Sequence, residues 1–110
     1  MAQSNLGAMY DRGQGVKQDS AEAVRWYRRS ANQGNAEAQF NLGLMYHIGR
    51  GVTQDYVQAL LWLNLAASRA TGDVQKTYAH LRDTVASEMD AAQISESQRL
   101  TQEWKPVRAK

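Results

Sequence analysis

Residues 41–55, "NLGLMYHIGRGVTQD", repeat most of residues 5–19, "NLGAMYDRGQGVKQD", at an offset of 36 residues. Each copy carries Gly-x-Gly and a downstream aspartate, a combination that could hold a phosphate or only turn the chain. A phosphate loop needs a strand before the glycines and Gly-Lys-Ser/Thr after them, and this sequence has neither. A motif that returns at a fixed interval is typical of a repeat architecture. The stretch therefore predicts a helix, a turn and a second helix, used twice.

The apolar residues of each copy recur at helical spacing. Leu42, Met45 and Tyr46 lie at i, i+3 and i+4, which gives the first helix of the pair one stripe to bury. The positions that carry the repeat are Leu6, Gly7, Tyr10, Gly13, Gly15, Asp19 and Trp26 in the first copy, and Leu42, Gly43, Tyr46, Gly49, Gly51, Asp55 and Trp62 in the second.

The glycines and the aspartate of the motif have structural roles. Gly49 is expected to end the first helix in the left-handed conformation, and Gly51 to let the chain reverse tightly. Asp55 is predicted to cap the second helix and to form a capping box with Gln58, and the first copy has an equivalent pair. Gly43 lies in mid-helix, where glycine costs about 1 kcal/mol relative to alanine, so it predicts a close helix crossing.

After Gly72 the sequence no longer matches the repeat. Residues 73–90 predict a longer helix, and Asp90 with Gln93 predicts the cap of a last helix that Pro106 ends. The inward residues are expected to be Val74, Tyr78, Leu81, Val85 and Met89 in the longer helix, and Ile94, Leu100 or Thr101, and Trp104 in the last. The predicted fold is all-α, with one repeat over residues 1–35, a second over 36–71, a capping helix pair over 72–105 and a tail over 106–110.

Composition excludes several classes of protein. The chain has 110 residues and zero cysteines, so disulfides, thiolate metal sites and cysteine nucleophiles are excluded. A net charge of +2 does not argue for nucleic acid, and no apolar run is long enough to cross a bilayer. Neither a cofactor nor a metal is predicted. As written, the sequence predicts a cytoplasmic protein, or a periplasmic or secreted one if an upstream signal has been removed.

The sequence resembles the Sel1-like repeat, a branch of the tetratricopeptide-type helical solenoids. The pattern A-x-A-Q-x-x-L-G-x-x-Y-x-x-G-x-G-V-x-x-D-x-x-x-A-x-x-W is whole in residues 36–62 and runs from its second alanine in residues 2–26. The closing "AQISESQRLTQEW" is similar to the ending of bacterial members. The resemblance implies a right-handed superhelix of antiparallel helix pairs whose concave side binds a protein or peptide partner, in a non-catalytic adaptor or scaffold.

Two other functions remain open at this stage. Some cysteine-rich relatives are associated with penicillin binding, which makes a hydrolase of cell-wall-like or β-lactam substrates one alternative, although the chain has no S-x-x-K motif. The first copy begins without a preceding helix, so its N-terminal face needs either an upstream repeat or a second copy of the chain. Self-association through this face is the other alternative.

In this architecture the first helix of each pair lines the groove. The candidate groove residues are Ser4, Ala8, Asp11, Arg12, Phe40, Asn41, Leu44, His47, Ile48, Lys76, His80 and Asp83. Phe40, Leu44 and Ile48 form a second apolar strip, which marks either a binding groove or the contact between neighbouring first helices. Equivalent positions in successive units could stack Asp11, His47 and Asp83 as a ladder, or leave them as a solvated rim.

The second helices differ between the copies. Arg25, Arg28 and Arg29 are expected to form a solvated basic face. At the positions of Arg25 and Arg29 the second copy has Leu61 and Leu65. If exposed, the two leucines indicate a subunit contact, and if buried they belong to the core.

Overall fold

The computed structural model describes Arg12 and residues 19–107. Its helices are α1 (Ser20–Asn32), α2 (Ala36–Ile48), α3 (Tyr56–Arg69), α4 (Gly72–Ser87) and α5 (Ala91–Glu103). No strand occurs in this part of the chain, which confirms the all-α prediction. The repeat positions predicted at Leu6, Gly7, Tyr10, Gly13 and Gly15 lie outside the described residues.

Aspartates begin α1 and α3 as predicted. The carboxylate of Asp19 accepts the backbone N–H of Glu22 at 3.1 Å, and that of Asp55 accepts the N–H of Gln58 at 3.1 Å. The capping boxes predicted here are wrong, because neither Glu22 nor Gln58 returns a side-chain bond to the cap residue. The Glu22 carboxylate lies instead 3.6 Å from the Arg25 guanidinium, one turn further along α1.

The complete capping box is at the start of α5. Asp90 accepts the N–H of Gln93 at 2.8 Å, and the Gln93 side chain accepts the N–H of Asp90 at 3.0 Å. We expect Asp90→Ala to lower the free energy of unfolding by about 1 kcal/mol, as loss of a cap usually does. Asp90→Asn is the control, since asparagine caps equally well. Urea unfolding measures both, and equal losses would contradict the capping role.

The first two backbone amides of the Gly-x-Gly turn between α2 and α3 donate hydrogen bonds to the end of α2. Gly49 ends α2 with φ +71° and donates its N–H to the carbonyl of Met45 at 2.8 Å. The N–H of Arg50 donates to the same carbonyl at 3.0 Å, and Gly51 continues the reversal with φ +76°. These contacts confirm that the glycines turn the chain, and they leave the first two amides of the turn unavailable to a phosphate.

Helices α2 and α3 cross closely at Gly43. A Cβ at this position would lie 2.9 Å from Cγ of Leu63 and 3.1 Å from the carbonyl oxygen of Ala59. Both distances are shorter than ordinary van der Waals contact, so no other residue fits without moving α3. The mid-helix glycine is therefore explained by packing, as the sequence predicts.

The core is built from aliphatic, small and aromatic side chains, most of them on α1, α2 and α3. Leu42 and Leu63 are fully buried, and Trp62 is 4% exposed. The question left open for Leu61 and Leu65 is answered, because both are buried in the core cluster that contains Trp62. They are core residues and not a free subunit contact.

The two C-terminal helices both pack on α3. Helix α4 starts at Gly72 and ends at Ser87, and it buries Tyr78 and Val85 as predicted. The prediction for Val74 is wrong: its side chain is 53% exposed. Helix α5 packs on α3, where the Ser97 hydroxyl donates to the carbonyl of Val57 at 2.7 Å. By the resemblance given above, α2 and α4 are first helices and are called the inner layer below, and α1 and α3 are second helices and are called the outer layer.

Candidate functional site

The candidate groove residues in the described part of the chain lie on the inner helix layer. Phe40, Asn41, Leu44, His47 and Ile48 belong to α2, while Lys76, His80 and Asp83 belong to α4. Arg12 is helical and exposed. Ser4, Ala8 and Asp11 lie outside the described residues.

Helix α2 is in contact with α1 and α3 along its core sides. The side-chain amide of Gln39 is fully buried, and its Nε2 donates to the carbonyl of Ala31 in α1 at 3.1 Å. Gly43 meets α3 at the close crossing. Because these contacts occupy the core sides of α2, only its remaining faces can meet a partner or the next inner helix.

Phe40 lies at the contact with that next inner helix. Its ring stacks on Tyr78 of α4 with centroids 4.4 Å apart and an interplanar angle of 15°. Burial raises the pKa of the Tyr78 hydroxyl, and the nearby Glu37 carboxylate raises it further. At Phe40 the structure therefore has a contact between neighbouring inner helices. This is one of the two interpretations that the sequence left open for the second apolar strip.

The open face of α2 carries Glu37, Leu44 and Ile48. Their spacing of seven and four residues puts them on one helix face. Glu37 is exposed, Leu44 is half-buried and Ile48 is 52% exposed, among the large apolar side chains that the described chain leaves most open to water. We call Leu44 and Ile48 the apolar strip from here on.

His47 makes a different contact from the predicted one. Its Nε2 lies 3.2 Å from Oε1 of Glu88, and the Tyr56 hydroxyl donates to Oε2 of the same carboxylate at 3.2 Å. The Glu88 charge raises the pKa of Tyr56. Asp83 pairs instead with the neighbouring Arg82 at 3.0 Å. Of the two interpretations given for these positions, the ladder is not what the structure has, because the end of α4 places Glu88, and not Asp83, beside His47.

The face of α4 that carries Lys76 and His80 is polar. Lys76 is 81% exposed and its ammonium lies 4.0 Å from the Asp73 carboxylate. His80 is exposed, and Thr84 donates its hydroxyl back to the carbonyl of His80 at 2.9 Å. An ion pair this open to solvent is weak, so the ammonium remains available to a ligand.

The basic residues of α1 interact with neighbouring side chains. Arg28 donates to the Tyr46 hydroxyl at 2.7 Å and lies 5.5 Å from the centre of that ring. Arg29 lies 5.1 Å from the ring centre of Trp26. The arginines thus cover aromatic surface as well as facing water.

A shallow polar cleft that the sequence did not indicate opens at the start of α3. It has a volume of about 400 Å³ and is lined by Gln54, Asp55, Tyr56, Val57 and Gln93. Its polar groups are largely engaged: Gln54 donates to the carbonyl of His47 at 2.8 Å, and Asp55 and Gln93 serve as helix caps. The cleft therefore offers few free groups to a ligand.

Within Arg12 and 19–107, no three His, Asp or Glu side chains come together as a metal site. No helix in this part of the chain is long and apolar enough to cross a membrane.

The family model of the Sel1 repeat matches residues 1–35 and again 36–70. This chain belongs to the Sel1 repeat family. Members of the Sel1 repeat family are in general protein-interaction modules.

Two solved Sel1-type structures are similar to this chain. A protective antigen present in uropathogenic Escherichia coli strains, which displays an SLR fold, is 36% identical with a TM-score of 0.86 over 94% of this chain. A Sel1 repeat protein from Oxalobacter formigenes is 28% identical with a TM-score of 0.66 over 97% of this chain. The chain spans 21% of the first relative and 51% of the second. No curated protein sequence matches it.

Proposed function

We propose that this Sel1 repeat chain is a non-catalytic interaction module that binds a peptide or protein partner on the concave side formed by α2 and α4. The observation that carries the proposal is the apolar strip on α2. Leu44 is half-buried and Ile48 is 52% exposed, although the core sides of the same helix are packed. An exposed apolar strip flanked by polar residues is typical of a binding surface.

The outer side of the second repeat is a weaker candidate, because α5 covers part of it. Leu61 and Leu65 are buried, and Leu100 and Trp104 of the C-terminal segment pack against their cluster. A partner approaching this side would have to displace α5. The concave side needs no such rearrangement, which favours it.

The apolar strip alone supplies only part of the affinity that a partner needs. Complete burial of an aliphatic side chain contributes about 1.5–3 kcal/mol, and both strip residues are already partly buried. Their joint contribution is therefore about 1–2.5 kcal/mol, against roughly 8 kcal/mol for a micromolar complex. We therefore expect the partner to span to α4 and to contact Lys76 and His80 as well.

The test is affinity capture from a bacterial lysate with quantitative mass spectrometry. The baits are the unchanged chain, the double variant Leu44→Asp with Ile48→Asp, and the control Val74→Asp. Val74 is matched in exposure to Ile48, at 53% against 52%, and lies on α4 two residues before Lys76, so it faces away from Lys76 and His80. A buried carboxylate is strongly unfavourable, so we expect partners to be captured at least about tenfold less by the double variant.

Val74→Asp is expected to capture the same partners as the unchanged chain. Circular dichroism must show equal helix content in all three baits, so that lost capture reflects the surface and not unfolding. Identical capture by the double variant and the unchanged chain would remove the strip from the binding surface.

A further inference from the structure

Residues 104–107, which we call the strap, follow the last helix and run back across the molecule. Helix α5 ends at Glu103, and Trp104 has the extended backbone angles φ −68° and ψ 138°. Pro106 cannot continue a helix, because it has no N–H and its ring clashes with the preceding turn. Residues 106 and 107, predicted as the start of a tail, therefore have a definite course.

The first residue of the strap binds α3. The Trp104 ring meets the Trp62 ring edge-on, with centroids 6.2 Å apart and an interplanar angle of 77°. The guanidinium of Arg69, in the last turn of α3, lies over the Trp104 ring at 5.2 Å. Edge-to-face aromatic and cation–π contacts are both favourable, so Trp104 is attached to α3 at two points.

The last residue of the strap binds α1. The backbone N–H of Val107 donates to the carbonyl oxygen of Asn32 at 2.6 Å. Asn32 is the final residue of α1, and the last four carbonyls of a helix have no partner within it. Ala31, its neighbour, is satisfied by the N–H of Gly34 and by Gln39. The strap thus supplies a cap to a helix that ends 75 residues earlier in the chain.

We propose that the strap is a brace that fixes the angle between the two repeats. Units of a helical solenoid otherwise contact only their neighbours, so the angle between units is set by one interface at a time. The strap joins the C-terminal segment to α3 of the second repeat and to α1 of the first. Because α1 and α3 form the outer layer, holding their ends together limits how far the inner layer can open. The brace acts whether or not a partner occupies the concave side.

The test measures the spread of distances from α1 of the first repeat to α4, which packs on α3 of the second repeat and so moves with it. The chain has zero cysteines, so Arg25→Cys on α1 and Lys76→Cys on α4 give two unique spin-label sites, with side chains 76% and 81% exposed. We expect a narrow distance distribution in the full chain. Truncation after Glu103 should broaden it, and so should Val107→Pro, which removes the N–H donor and leaves Trp104 in place.

Val107→Ala is the matched control, because it keeps the N–H and loses a side chain that is 61% exposed. Its distance distribution should equal that of the full chain. Amide exchange adds a second measurement: the Val107 N–H should exchange at least about tenfold more slowly than an open amide, since it is hydrogen-bonded. An unprotected Val107 amide, or a Val107→Pro distribution as narrow as that of the full chain, would overturn the brace. The Val107→Pro measurement tests the brace even if the truncated chain fails to fold.

Discussion

Replacing Gly51 with alanine is expected to lower the free energy of unfolding by about 2–5 kcal/mol, from left-handed strain of about 1–2 and displaced packing of about 1–3 kcal/mol. The Cβ would lie 2.4 Å from the carbonyl oxygen and 2.6 Å from the carbonyl carbon of Ser20, both backbone atoms at the start of α1. A backbone cannot rotate away as a flexible side chain can. The turn of the second repeat must then move off α1, and the measurement is urea unfolding followed by circular dichroism.

Gly72→Ala is the matched control for this experiment. Gly72 also has a left-handed backbone, with φ +63°, but nothing lies within 4 Å of its Cβ position. We therefore expect only the strain of the left-handed conformation, about 1–2 kcal/mol. The difference between the two variants isolates the clash with Ser20. Equal losses would show that the turn does not rest on α1 in solution.

Replacing Trp62 with alanine is expected to cost about 3–5 kcal/mol, as deletion of a large buried aromatic side chain usually does. Trp62 is 4% exposed and belongs to the core cluster that also holds Leu61 and Leu65. The substitution would also remove the indole ring against which Trp104 packs edge-on. A single domain is stable by roughly 5–15 kcal/mol, so this change takes a large share of the total. Thermal and urea unfolding both report it.

Trp62→Phe separates packing from hydrogen bonding at the same site. The indole Nε1 of Trp62 is buried without a hydrogen-bond partner in the described structure. Phenylalanine removes this unpaired polar group and keeps one aromatic ring, so the loss should be well below that of alanine, at about 1–2 kcal/mol. A phenylalanine variant as unstable as the alanine variant would indicate that the indole N–H does have a partner.

The features that the sequence predicts correctly are those that depend on local chemistry or on the repeat itself. Asp55 caps a helix because its carboxylate reaches an amide three residues later, and Gly49 ends a helix because it adopts a left-handed backbone. Gly43 predicts a close crossing because a mid-helix glycine needs a packing reason. Each of these can be read without knowing where any distant residue lies.

The features that the sequence does not predict depend on contacts between distant segments. Glu88, not Asp83, meets His47, because the ends of α2 and α4 come together in a way that equal spacing along the chain does not show. For Phe40 the sequence leaves a binding groove and a contact between neighbouring first helices both open, and only the stacking on Tyr78 decides for the contact. Val74 fits an inward helical pattern, yet it is exposed, since α5 packs on α3.

The contact between Gly51 and Ser20 also limits how the repeat can change in length. An inserted residue in the turn at residues 49–55 would push its backbone into the start of α1, so insertions and deletions should be poorly tolerated there. The connection at Thr71 and Gly72 faces open space and has no such constraint. Length differences among homologous chains should therefore collect at the second connection. The steric contact between Gly51 and Ser20 keeps the number of residues from one helix pair to the next constant.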